Sequence, residues 1–253
     1  MSHSTNPNEG PGWGDHGTPY GPIHSYDGNN GSSSYGEHSG GNAGNNTHDG
    51  IPENTRINIK STNDYNGFYM SMCVNHLKYF ESFKNVMYKD KPGNITIGIG
   101  HLISSADMAA SLPFTYTSKT SLGHAEWDIS ELKASVSMIK DAFNQYKANS
   151  NISPSGLHLS NDAVIGQCIS DVRSTEAGLR GLYSGYDGFS DSRKTALVDM
   201  GFVLGIGKLK EKFVNFNAAI KRGDWATAAK ESHRPDVNDE RNKTIHDKLL
   251  SNK

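Results

Sequence analysis

Cysteine is scarce. Cys73 and Cys168 are the only two in 253 residues, which excludes a disulfide framework and the usual structural zinc cage and leaves room for one bridge at most. Long apolar runs are missing too. None approaches the roughly 18 residues of a membrane-spanning helix, so no stable membrane insertion is expected. The first fifty residues contain no Lys or Arg, and their apolar set shrinks to Met1, Trp13, Tyr20, Ile23, Tyr26, Tyr35 and Ala43. The opening Met1-Ser2-His3-Ser4-Thr5-Asn6 has neither the charged start nor the apolar centre of a secretory leader. No secretory leader is therefore expected.

What residues 1–50 do contain is Gly, Asn, Ser and His, with 12 of the chain's 27 glycines and five acids. Such a segment cannot bury enough apolar surface to offset the entropy of ordering it. It reads as a disordered arm, followed by a linker over 51–66 and a folded body over 67–253. Without the arm the chain carries 25 bases against 22 acids. That slight excess, with no basic stripe interleaved with aromatics, predicts no nucleic-acid partner. Within the arm, Gly10 to His24 concentrates Trp13, Tyr20 and Ile23. Flexible spacers gain nothing from exposed aromatics, whereas a segment that orders on a partner uses them as anchors. Trp13, Tyr20 and Ile23 are the candidate partner-binding residues, against the plainer reading of an inert linker.

From about Gly67 apolar residues recur at three- and four-residue steps through Tyr69, Cys73, Val74, Leu77 and Phe80. That period predicts an amphipathic helix ending near Lys84. Val86–Asp90 and Ile95–His101 flank Lys91-Pro92-Gly93-Asn94, a hairpin signal. The remainder reads as helical over 129–147, 160–183, 192–204, 208–222, 224–231 and 238–250. Ser160 is the expected N-cap of the second of these, with Val164, Ile165, Cys168, Ile169, Val172 and Leu179 on its buried face. One small hairpin among many helices is an α+β, mostly helical layout.

In the hairpin, Ile95, Ile97 and Ile99 alternate with Thr96, Gly98 and Gly100. Alternation predicts an apolar face toward the core and a nearly bare Thr-Gly-Gly face toward a groove. Glu81 and Asp90 stand at its two margins. A protonated and an ionised carboxyl across a groove are the minimum equipment for glycoside hydrolysis. Glu81, between Phe80 and Phe83, is the candidate acid, because desolvation favours its neutral form. Asp90, beside Lys89 and Lys91, is the candidate base, and the Thr96 hydroxyl suits holding a water. A helical Glu is also commonly just solvated, and Asp before Lys-Pro-Gly commonly just forms a turn.

The run from Tyr88-Lys89-Asp90 through Ile95-Thr96-Ile97-Gly98-Ile99-Gly100-His101-Leu102, with Glu81 ahead of it, resembles the signature of the phage-type lysozyme family of glycoside hydrolases. The likeness resumes at Thr195–Phe202, Phe213–Asn215, Arg222–Ala229 and Asn238–Lys243. It implies a lysozyme-like fold, with a small β-hairpin lobe and a helical lobe. It also implies a peptidoglycan muramidase that cuts the β-1,4 bond between N-acetylmuramic acid and N-acetylglucosamine without cofactor or metal. Glu81 would be the general acid, Asp90 would activate water and Thr96 would hold it, with Gly98, Gly100, Phe202 and Asn215 toward substrate. Arg241 matches an Arg that approaches the catalytic Glu from the C-terminal helix, and such a partner opposes the effect of burial on that Glu. His101 and Asp171 match a structural ion pair. Val203 departs from the family, which carries a polar residue there, and 127–149 has no assigned role.

The Gly-Trp-Gly, Pro-Tyr-Gly and Ile-His pattern of the arm is similar to the translocation arms of colicin-type bacteriocins. The two parts together resemble pesticin-like toxins. That likeness implies Tol translocation proteins, an outer-membrane receptor and a producer's immunity protein as partners, with release from the producing cell without a signal peptide and action in the target periplasm. A prophage endolysin with an unusual leader, or an inactive protein that binds peptidoglycan or Tol, are the alternatives.

Overall fold

The computed structural model describes residues 56–60, 66–123, 126–149 and 156–252. The arm, with Trp13, Tyr20 and Ile23, lies outside the described residues. The body is α+β and mostly helical.

Helix α1 (Gly67–Glu81) starts where the Asn66 side chain accepts from the amides of Phe68 and Tyr69, a conventional N-cap. Its buried face carries Tyr69, Cys73, Val74 and Leu77 as the periodicity predicts, together with Met70, whereas Phe80 is only half-buried. It ends three residues earlier than expected. Ser82 turns the chain at φ 71° and ψ 175°, a region that non-glycine residues almost never occupy. Among the described residues Ser82 is the only non-glycine at positive φ.

Strands β1 (Lys84–Lys89), β2 (Ile95–Gly98) and β3 (His101–Leu102) form an antiparallel sheet in that order, with Tyr88 opposite Thr96 and Ile97 opposite His101. A bare strand face toward a groove is not found here. All four residues of β2 are buried, and Thr96 is only 5 % exposed. As the central strand, β2 is covered by the helix over Asn161–Leu182 as well as by the core, so both of its faces are lined.

A second sheet corrects the expectation of a single hairpin. It comprises β4 (Thr115–Gly123), β5 (Glu126–Lys133) and β6 (Leu157–His158), in the order β5-β4-β6. Residues 129–133, expected to begin a helix, belong to β5. Ile129 and Leu132 stand at helical spacing, but both are exposed and the backbone pairs with Thr115–Lys119 instead. Helix α2 (Ala106–Ser111) was not foreseen; it packs on α3 (Val136–Ala148).

Helix α4 (Asn161–Leu182) is capped by the Ser160 hydroxyl, which accepts from the Ala163 amide, and all six residues named for its inner face are buried. Then come α5 (Asp191–Leu204), α6 (Ile206–Lys212), α7 (Val214–Lys221), α8 (Trp225–Glu231) and α9 (Asp239–Leu250). The single helix expected over 208–222 is broken at Phe213 (φ −106°, ψ 50°). The Asn217 amide donates to the Leu209 and Lys210 carbonyls there, doing the work of the missing helical turn. Helix α5 contacts α1, α4, α6 and α9, so it is the hub of the helical lobe.

Residues 56–60, expected as linker, are fixed to α1: the Ile57 backbone exchanges two hydrogen bonds with Asn75, and the Ile59 amide donates to the Ser71 hydroxyl. Cys73 and Cys168 are free, buried thiols, and burial pushes Cys73 up to about 12.

Candidate active site

Glu81 is the last residue of α1, and its side chain is 24 % exposed. Arg241 reaches it from the first turn of α9, with Nη1 donating to Oε1 at 2.6 Å. The Asn238 side chain caps α9 by accepting from the Arg241 amide at 2.8 Å, which sets the residue that reaches across. The approach expected of Arg241 is thus present.

Gly100 packs against the same carboxyl-bearing side chain. Its backbone is at φ +68°, and a Cβ there would stand 3.1 Å from both Glu81 Cγ and Phe202 Cε1. The chain comes this close because Gly100 has no side chain. Gly100, Phe202 and Glu81 are therefore brought together. Gly98 is not part of that surface. It is buried, and its missing side chain faces Val164 of α4, so a role toward substrate is corrected to one in packing.

Asp90 closes the β1–β2 turn. Its Oδ1 accepts from the Asn94 amide at 2.7 Å, and its Oδ2 accepts from the Asn94 side chain at 3.0 Å. The turn-forming reading is realised, and the carboxylate remains partly exposed with further acceptor capacity on each oxygen. The Thr96 hydroxyl has only a long 3.5 Å contact to the Asn94 carbonyl.

Tyr88, not singled out from the sequence, is half-buried on β1, opposite Thr96 of β2. Its hydroxyl is pushed up to about 12, by burial first and then by the charges of Glu81 and Asp90. Lys84 Nζ lies 4.0 Å from the centre of its ring.

His101 Nδ1 donates to both Asp171 oxygens, at 3.1 and 2.9 Å, and the Gln167 amide donates to Asp171 Oδ1. Both partners of this β3–α4 pair are buried, as the structural role requires. Asn215 is exposed on α7, and its amide donates to Glu231 of α8 at 3.4 Å. Among the described residues, no hydrogen bond joins Asn215 to Glu81, so the structure does not bring it to that site. Trp225 is half-buried and packs edge-on against Phe189 at 4.8 Å, with the Arg193 guanidinium 4.2 Å from the centre of its ring. Among the described residues no group of three or more His, Cys, Asp or Glu is placed to hold a metal ion.

Behind Arg241 lies a buried ionic cluster that sequence reasoning missed, because its members are far apart along the chain. Asp199 of α5 is fully buried; its Oδ2 accepts from His76 Nε2 at 2.8 Å and from Arg241 Nε at 2.7 Å. Burial pushes the Asp199 carboxyl up, but Arg241, His76 and Arg234 together hold it far below the usual carboxylate range.

His76 provides a test by pH. Burial pushes it below its ordinary value, more than Asp199 on α5 raises it, and Lys248 and Arg241 of α9 push the same way as burial. Unfolded His protonates near pH 6.5, whereas this ring does so only at lower pH. The resulting stability is complete above about pH 6.5 and declines as pH falls toward the folded value. His76→Gln keeps a donor toward Asp199 and removes the titration. Urea midpoints of the wild type are expected to fall more steeply than those of the variant between about pH 7 and 5. Parallel curves would refute the assignment.

No protein-family model matches this chain, and no curated protein matches it either.

Proposed function

We propose that this chain is a peptidoglycan muramidase, hydrolysing the β-1,4 bond between N-acetylmuramic acid and N-acetylglucosamine, deployed as a colicin-like bacteriocin against related Gram-negative bacteria. The observation that carries the reading is the Glu81–Arg241 contact at the tip of α1, beside the hairpin that bears Asp90 and Thr96. It is the arrangement implied by the likeness to phage-type lysozymes.

In this reading the protonated Glu81 gives its proton to the glycosidic oxygen as the bond to the anomeric carbon breaks. Asp90 takes a proton from water, whose oxygen adds to that carbon, and Thr96 orients the water through its hydroxyl. Phe202 offers an apolar edge beside Glu81. No cofactor enters any step. Tyr88 and the lysines of β1 and the turn, Lys84, Lys89 and Lys91, supply polar and cationic groups suited to the anionic peptide stems of murein.

The arm residues Trp13, Tyr20 and Ile23 are assigned to capture of Tol-type translocation proteins, with a receptor on the target surface and an immunity protein in the producer as the remaining partners. The enzyme would then act in the target periplasm.

A zymogram on purified murein tests the enzyme. A cleared band at the position of the intact chain is expected. Folded protein that leaves the gel opaque would overturn the proposal in favour of a non-catalytic wall-binding protein.

A further inference from the structure

The cluster behind Glu81 contains more charge than a salt bridge needs. Arg241 Nε donates to Asp199 Oδ2, and its Nη2 stands 2.7 Å from the same oxygen. With that edge of the guanidinium taken, Nη1 is the nitrogen that faces Glu81. Arg234, from the α8–α9 connection, brings a second guanidinium to 2.8 Å from Asp199 Oδ1. It is 2 % exposed, and its Nε and Nη2 have no hydrogen-bond partner among the described residues. A buried cation paired through one of its nitrogens is costly where a Met of similar volume would pack. Glu81 also acts electrostatically on Arg234, so both cations bear on the candidate acid.

Charge counting shows what this does. His76 is neutral, so Arg241, Arg234 and Asp199 sum to one positive charge. An ionised Glu81 brings the cluster to zero, and a protonated Glu81 leaves one charge. Were Asp199 neutral, two cations would act on Glu81 unopposed and hold it ionised.

We propose that Asp199 is a positioning residue for Glu81: it turns Arg241 Nη1 to the carboxyl and cancels one of two guanidinium charges, so that Glu81 can carry the proton it must donate. The inference rests on the muramidase reading for its purpose, though its electrostatics can be measured without it. The other groups facing Glu81 do not confuse the count. Tyr88 of β1 and Cys168 of α4 both respond to its charge, and burial pushes both well above neutral pH, so they stay uncharged.

The experiment follows the Glu81 carboxyl carbon by NMR titration, assigned by comparison with Glu81→Gln, in full-length protein. In Asp199→Asn the Glu81 midpoint is expected to fall by about one to three pH units, the range for an unopposed neighbouring charge. The alkaline limb of murein hydrolysis is expected to move in the same direction, with kcat lowered and KM little changed. In Arg234→Met, which removes the second cation, the midpoint is expected to rise. A merely structural role would cost stability and leave midpoint and limb in place.

Folded Asp199→Asn with an unmoved midpoint overturns the inference. Should that variant not fold, Arg234→Met decides alone: an upward midpoint supports the inference, and an unchanged one overturns it. If the wild type fails to hydrolyse murein, the functional reading falls while the midpoints still judge the electrostatics.

Discussion

Glu81→Gln is expected to slow wall hydrolysis by at least about 10²-fold, the scale of a lost general acid, while the protein stays folded. The substitution keeps the shape and leaves a carbonyl oxygen that can accept from Arg241 Nη1. Arg241 does not become an unpaired buried charge, because Asp199 still holds its other edge. Turbidity clearing of isolated walls measures the rate, and a thermal melt checks the fold. Near-normal clearing by the variant would remove Glu81 from the chemistry and the proposed mechanism with it.

Deletion of residues 2–50 is expected to abolish killing of intact Gram-negative cells and to leave hydrolysis of isolated walls unchanged. The arm carries the aromatic anchors Trp13, Tyr20 and Ile23 but no base and few apolar residues that could join a core. The first described residues packed on the body are 56–60, which the deletion retains. Paired assays on the two forms separate entry from catalysis. Killing from outside by the truncated form would sink the translocation role; loss of wall hydrolysis would mean that the arm serves the enzyme itself.

Legibility followed the physical origin of each feature. Helices α1 and α4 were readable because their stability is written in the apolar period, and the buried face of α4 matches it residue for residue. The α5 and α9 spans were readable for the same reason. The break between α6 and α7 was not, because no Gly or Pro marks it; a side-chain amide from Asn217 replaces the helical bonds. The second sheet escaped because β5 places apolar residues at a spacing that suits a helix, and its pairing with β4 is a tertiary fact.

The site divides in the same way. Glu81, Asp90, Thr96 and Arg241 were marked by a local motif or a family likeness. The outward-facing Thr-Gly-Gly strip failed because strand alternation presumes one solvated face, and a central strand beneath α4 has none. Ser82, strained next to Glu81, carries no composition signal. His76 and Asp199 meet across 123 positions of chain, and only the fold makes them neighbours.

The anchorage of residues 56–60 has a mechanical consequence. Any tension transmitted along the N-terminal tether reaches the body through Asn75 and Ser71, two side chains of the helix whose final residue is Glu81. Load applied from outside is therefore borne first by the element that presents the acid.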